Sequence, residues 1–550
     1  MPISATAYAE VKTDAPGCVI ALGGSGAGIG LTGGATLSAD GCAVASNAAV
    51  TTHACSNTIT TPTVDYNSGT PPSCSLAAPA GKSSVQTNKV LTTDPLNPSS
   101  GSPGSTEVTN ATARIASVAS ITPPSAPSVT GGSSITLNSN SKSGSLPASC
   151  STSSTQSPWT VTCTGVGPFD FNTITIGGGS SATFANTSSG ATYNFAALID
   201  SGSSNGLTFN GGSNATYNMA GGIYAHASAP LSFSAGTFNI GTTTCSSAPS
   251  PSTGYSICVS GSGSITFGGP SAFVLAGGIY QGAGGKPANP PVALSLGYGT
   301  STNSFSIGKS TTAGYSLDDA NGATLFGDAT GATTVTCGSS TSTFCMAGGV
   351  TTSGGTCVAL SAAAEHDIDG SINASGGIVL GSGTYSVNGY VALGNSGGGD
   401  VSNCPTTGTT TGLNALAVTL VISGANTVTC NGVASSGFCL GAGYSTVDLT
   451  APTSPSSTAG LAVIGPQSTS NTAAAAFTTG ATNTRISGAF YFPNGPVKMS
   501  GAASLSDTVD TNACLELIGS EVDLNAGSTV GTSCAGLGGG SLGTTASLVQ

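Results

Sequence analysis

Charge is what this sequence has least of. Only 5% of its 550 residues are Asp, Glu, Lys or Arg, against roughly 25% in an ordinary globular domain. Nine Lys and Arg face 21 Asp and Glu, for a net charge of −12. So few cations over such a length build no phosphate-binding surface, which excludes nucleic acid as a partner. The thin acidity serves solubility. Long apolar runs are missing too. None reaches the roughly 18 residues a membrane helix needs, so no transmembrane segment is expected in this chain. Helical periodicity is nearly absent, which excludes crossover helices and a dinucleotide-binding sheet. No basic-then-apolar leader opens the chain at "MPISATAYAEVKTDAPGC".

Gly is abundant, at 83 residues, among much Ser, Thr, Ala and Asn. Disorder goes with low hydropathy and high charge. Here mean hydropathy is +0.22 and apolar residues alternate in order, so an extended β-structure with a narrow core is expected. Sixteen Cys fall into neighbouring couples: Cys18/Cys42, Cys55/Cys74, Cys150/Cys163, Cys245/Cys258, Cys337/Cys345, Cys430/Cys439 and Cys514/Cys534, with Cys357 and Cys404 left as an eighth. None forms a CxxC doublet of a zinc site. Local disulfides in an oxidising compartment are the better reading. Disulfides without a leader are reconciled most simply by a truncated chain, or by a mature one bearing an added Met.

The middle of the chain repeats. "LTFNGGSNATYNMAGGIYA" starts at Leu207, "LSFSAGTFNIG" at Leu231, "ITFGGPSAFVLAGGIYQ" at Ile265 and "LSLGYGTSTNSFSIG" at Leu294. Apolar–polar–apolar triplets separated by Gly turns about every 20–29 residues, with longer gaps where the Cys245/Cys258 and "GAGGKPANPP" loops intervene, are the signature of a solenoid with one coil per repeat. The fold class is therefore all-β, a parallel β-helix with disulfide-closed loops. Coil length and irregular insertions favour the right-handed form. Residues 1–91 form a smaller β-rich segment. Residues 92–148, rich in Pro, Ser and Thr, read as a linker or strap. Residues 149–550 form the β-helix, with Trp159 placed to cap its first coil.

Two stretches carry a family resemblance. One is "CVIAL", "GGATLSADGCAVASNAAV" and "TTDPL" near the start. The other is "GLAVIGP", "ISGAFYFPNGPVKMSGAASL" and "CLELIGSEVDLNAGS" near the end. With the central "AEHDIDGSINASGG", "YSVNGYVALG" and "TFNIG", they make the chain resemble the TadG-like proteins of the bacterial Tad (Flp) pilus-assembly system. The resemblance covers most of residues 14–534. It implies an extracellular, cell-surface protein with pilus or cell-envelope partners. Family members usually carry an N-terminal membrane helix ahead of this region. The resemblance carries over no catalytic residue and no cofactor.

Candidate sites come from the residues themselves. In "AAAEHDIDGSINASGG", Glu365, His366, Asp367 and Asp369 gather four ionisable groups within five residues. Carboxylates and imidazole suit a cation or acid–base work. On a strand, however, His366 faces away from Glu365, Asp367 and Asp369. The plainer reading is a strand start, with Ile368 and Ile372 inward and the charges outside or capping a turn. "SLDDANGATLFGDATG" offers Asp318, Asp319 and Asp328 as turn residues or Ca²⁺ ligands. A polysaccharide lyase needs a base beside clustered carboxylates. After residue 142 the basic residues are Lys286, Lys309, Arg485 and Lys498, none near a cluster. A glycoside hydrolase needs converging carboxylates, which Asp318, Asp319, Asp367 and Asp369 supply only if adjacent coils bring them together. Thr-containing faces show no regular ladder. Aromatics beside Gly turns in "GAFYFPNG" and "GGIYQG" read as core or edge packing, with sugar stacking as the alternative.

The leading expectation is a non-enzymatic structural or adhesive surface protein associated with Tad pilus assembly, binding surface glycans or itself. A β-helix carbohydrate-active enzyme is the first alternative. A self-assembling filament or matrix subunit is the second.

Overall fold

Alternation in "LTFN", "ATYNM" and "GTFNI" produces strands whose apolar side chains are buried and whose polar ones are half-exposed or exposed. The computed structural model describes residues 8–13, 17–68, 73–81, 86–88, 93–99, 104–201, 206–226, 228, 230–248, 253–283, 292–311, 314–395, 397–402, 404–478, 481, 483–507, 515–532 and 544–549. The chain is nearly all β, in a large and mostly parallel sheet. Two short α-helices, Ser105–Thr112 and Ile115–Val118, occur among the described residues. The chain divides into two compact units, one of residues 1–113 with 419–550 and one of residues 114–418.

In the unit of residues 114–418 the strands form three parallel ladders. The first runs from Phe169–Ile176 to Gly383–Val387, the second from Ile199–Ser201 to Val391–Leu393, and the third from Trp159–Cys163 to Leu413–Ala415. The repeat starts Leu207, Leu231, Ile265 and Leu294 are successive register partners on the third ladder.

Identical positions on neighbouring strands place like side chains over one another. Phe169, Tyr193, Tyr217, Phe238, Phe273, Phe305 and Phe344 stack down the inner side of the first ladder, with ring centroids 4.8–5.5 Å apart. A second column, Phe184, Phe209, Phe233 and Phe267, stacks at 4.9–5.2 Å. It meets the first column edge-on, as at Tyr217–Phe233 and Phe238–Phe267. Offset and edge-to-face arrangements match the quadrupoles of these rings, so each contact adds to the burial itself. On the outer side of the first ladder, Asn239 donates to Asn218, Asn218 to Asn194 and Asn194 to Asp170, at 2.7–2.8 Å. Each amide thus uses the exposed face of the rung beside it.

Seven disulfides join Cys18–Cys42, Cys55–Cys74, Cys150–Cys163, Cys245–Cys258, Cys337–Cys345, Cys357–Cys404 and Cys430–Cys439. Cys514 and Cys534 lie outside the described residues. Such bonds belong to an oxidising, non-cytoplasmic compartment. No helix among the described residues is long and apolar enough to cross a membrane.

The division into 1–91, 92–148 and 149–550 differs from what forms. Strand Gly17–Ala21 pairs in parallel with Leu515–Gly519 on one side and Ala43–Thr52 on the other. Ile29–Leu31 pairs with Val522–Leu524, and Thr36–Ala39 with Thr529–Thr532. The N-terminal segment therefore belongs to the same unit as the strands before residue 533. The stretch read as a strap is also more ordered than its composition suggests. Val108 and Ala111, one helical turn apart, are buried with Leu96 against Val421, Leu461 and Tyr491. Nor does the parallel structure wait for Ser149: Ile135 and Leu137, alternating in "SSITL", are buried where Ser133–Leu137 pairs with Phe169–Ile176. Trp159 is likewise a ladder residue, 2% exposed, with its Nε1–H donating to the Asn138 carbonyl at 2.7 Å.

Candidate functional site

Strand Glu365–Ile368 lies between Phe344–Met346 and Gly383–Val387 on the first ladder. Its alternation splits the cluster as a strand must. His366 and Ile368 turn inward, Glu365 and Asp367 outward. His366 takes the next place in the aromatic column, 4.9 Å from the Phe344 ring and 3.8 Å from Tyr385, nearly parallel to the latter. Its Nε2–H donates to the Ser361 carbonyl at 2.7 Å. Burial lowers its pKa to about 4, against the pull of backbone hydrogen bonds to Ser361 and Thr384. His366 is a neutral ring of the core, and it is turned away from both carboxylates.

The expectation that the carboxylates sit outside in solvent is corrected at Asp367, which is 0% exposed. Arg114 covers it. Nε donates to Oδ1 at 3.1 Å and Nη2 to Oδ2, and Nη2 also donates to the Thr341 carbonyl at 3.0 Å. Glu365 lies 3.6 Å from the same guanidinium. Burial pushes the Glu365 carboxyl up to about 7, with Arg114 opposing and Asp367 adding to the rise. Burial also raises Asp367, and Arg114 pulls it partway back. Asp369 is held apart by Asn388, whose Nδ2 donates to Oδ1 at 2.8 Å. Just beyond Arg114, Val118 and Ile121 pack on the Cys337–Cys345 disulfide. Those two sulfurs lie close to Asp367, but bonded to one another they are no thiolate ligand set.

Asp318 and Asp319 stand on strand Tyr315–Asp319 of the second ladder, two rungs before Glu365 in the chain. They point to opposite sides. Asp318 pairs in register with Tyr280 and Asp319 with Gln281. Burial raises Asp318 to about 6, with a Tyr255 hydrogen bond opposing. Burial and the Asp318 charge raise Tyr255 to about 12. Asp319 is wholly buried with neither carboxylate oxygen hydrogen-bonded among the described residues, and burial pushes its carboxyl well up. Asp328 is on a turn, where its Oδ1 accepts from the Thr330 N–H at 2.7 Å. Thus Asp318, Asp319 and Asp328 do not converge on a Ca²⁺ position. Nor do Asp318 and Asp319 join Glu365 and Asp367, because the two pairs occupy different ladders. The aromatics of "GGIYQG" and "GAFYFPNG" are interior: Tyr280 is 5% exposed and Tyr491 1%.

Arg114 is the residue that sequence reading misses. Its partner is 253 positions away. The available signal was a cation beside the apolar positions 108, 111 and 118, in a stretch that composition alone assigns to a linker.

Comparison with protein-family models, with curated proteins and with solved structures finds no match to this chain.

Proposed function

We propose that this chain is a non-enzymatic structural and adhesive protein of the bacterial cell surface, built as a right-handed parallel β-helix and associated with Tad-type pilus assembly. The observation that carries the non-enzymatic part is the use made of its scarce carboxylates. Asp367 is neutralised by Arg114, Asp319 is interior and Asp318 faces Tyr255 and Tyr280. Acid–base pairs in glycosidases converge on one cleft instead. Support for the helix comes from the three in-register parallel ladders and their stacked rings. Support for an extracellular place comes from the seven disulfides. The pilus association rests on the TadG-like sequence stretches.

The test is made in the source bacterium with an epitope inserted at the exposed turn of Ser189 and Gly190. Antibody labelling of intact cells is expected, together with loss of surface attachment or of piliation when the chain is deleted. Unlabelled intact cells, or a deletion strain that attaches and pilates normally, would sink the reading. Turnover of an acidic or neutral polysaccharide by the purified protein would replace it with the enzyme alternative.

A further inference from the structure

One aromatic ring in the unit of residues 114–418 is displayed instead of buried. Tyr298 is 46% exposed, at the tip of a "GYG" turn. Gly297 and Gly299 have φ of 68° and 83°, a conformation that costs glycine little and other residues more. The turn is braced from behind. The Thr300 hydroxyl donates to the Gly297 carbonyl at 2.7 Å. Asn303, fully buried, donates through Nδ2 to the carbonyls of Thr300 at 2.9 Å and Asp328 at 3.1 Å. The ring is therefore held out by a fixed scaffold.

Beside it opens a groove of about 530 Å³, within the range of small-ligand sites. Phe326, Leu360 and Val379 supply apolar surface. Asp328, Thr300 and Ser301 supply polar groups. The Asp328 carboxylate is oriented by Thr330 through Oδ1. Ser361 backs this lining, with its Oγ closed off from solvent and its carbonyl accepting from His366. Among the described residues, no Lys, Arg or His lines the groove.

We infer that this groove is a binding site for a neutral glycan, one sugar ring lying against Tyr298 with its hydroxyls directed to Asp328. A flat, rigid aromatic offers apolar area at little entropic cost. A carboxylate accepts from sugar O–H groups. The lone carboxylate, with no cation to offset it, disfavours uronates and sialylated chains. The inference deepens the adhesive reading above and rests on it.

The full oxidised chain is tested by saturation-transfer NMR against lactose, cellobiose, maltose and diacetylchitobiose, with digalacturonate and sialyllactose as acidic probes. At least one neutral disaccharide is expected to receive saturation on its ring protons. Y298A should weaken it about tenfold with an unchanged melting temperature, Y298F should retain it, and D328A should weaken it. Silence from every neutral disaccharide, equal binding by Y298A, or stronger binding of an acidic probe overturns the inference. Attachment by cells carrying Y298A separates the two levels. Cells that still attach while the protein binds no sugar defeat the inference alone. A deletion strain that attaches normally defeats the adhesive reading whatever the NMR shows.

Discussion

Arg114 closes over Asp367 with two nitrogens on two oxygens, across 253 residues of sequence. The carboxylate is fully buried and the arginine side chain is 22% exposed. Removing the cation leaves an uncompensated interior charge, which costs about 3 kcal/mol. R114A should lower stability by that order and expose the stretch around residue 114 to limited proteolysis. The double variant R114A/D367L should recover much of the loss, because it removes the stranded charge. Denaturant unfolding of the three proteins checks this, and equal stability of R114A and the parent would refute it.

Acidity should stabilise the protein, and less steeply below about pH 6.5. Burial, reinforced by the Asp94 charge, raises Glu516 to about 8, and burial raises Glu365 to about 7. The unfolded carboxyls ionise near 4.5, so between that pH and the folded values the folded state holds the extra proton. Stability then falls as pH rises, by about 1.4 kcal/mol per pH unit for each such group. His366 works the other way. Its folded pKa is depressed to about 4 from 6.5, so its contribution is lost as pH drops from 6.5 towards 4. Melting temperature should climb as pH falls from 8, most steeply between pH 7 and 6.5, and more slowly from 6.5 towards 4.5, where His366 offsets one of the two carboxyls. E516Q should remove most of the climb above pH 7, and H366F should steepen the rise below pH 6.5.

The disulfides should rank by the loop each closes. Cys357–Cys404 spans 47 residues and Cys337–Cys345 spans 8. Loop-closure entropy puts them at about 4 and about 2.5 kcal/mol. Paired Cys→Ser variants, compared by thermal unfolding, should show the larger loss for the first pair.

Asn218 both gives to Asn194 and takes from Asn239. N218A breaks two half-buried links at once and should cost about 1–2 kcal/mol. N218D keeps the acceptor but loses the donor, setting an anion against Asn194 Oδ1, and should be no better than N218A. A neutral N218A would mean that water replaces the ladder fully.

Much of the architecture is legible in the residues because it is local. Leu207, Leu231, Ile265 and Leu294 repeat because each meets the same neighbour one rung away. Cysteine couples are close in sequence because they cross neighbouring rungs or close one excursion. The split of His366 from Glu365 and Asp367 follows from strand alternation alone. Three things are not legible, each for a physical reason. Arg114 reaches Asp367 from another part of the chain, and no periodicity encodes that meeting. Pairing of Gly17–Ala21 with Leu515–Gly519 is parallel, so no turn signal lies between the partners. Tyr298 resembles every other aromatic–glycine triplet until the two left-handed glycines around it turn the ring outward.

The parallel pairing of Gly17–Ala21 with Leu515–Gly519 also sets an order of events. Whichever direction synthesis or export takes, one strand of this pair exists long before the other. The early partner keeps an open edge until the late one arrives. A chain cut short before residue 515 would carry that edge permanently and offer it to other strands. The closing pair thus makes burial of that edge depend on two segments about 500 residues apart being present in one chain.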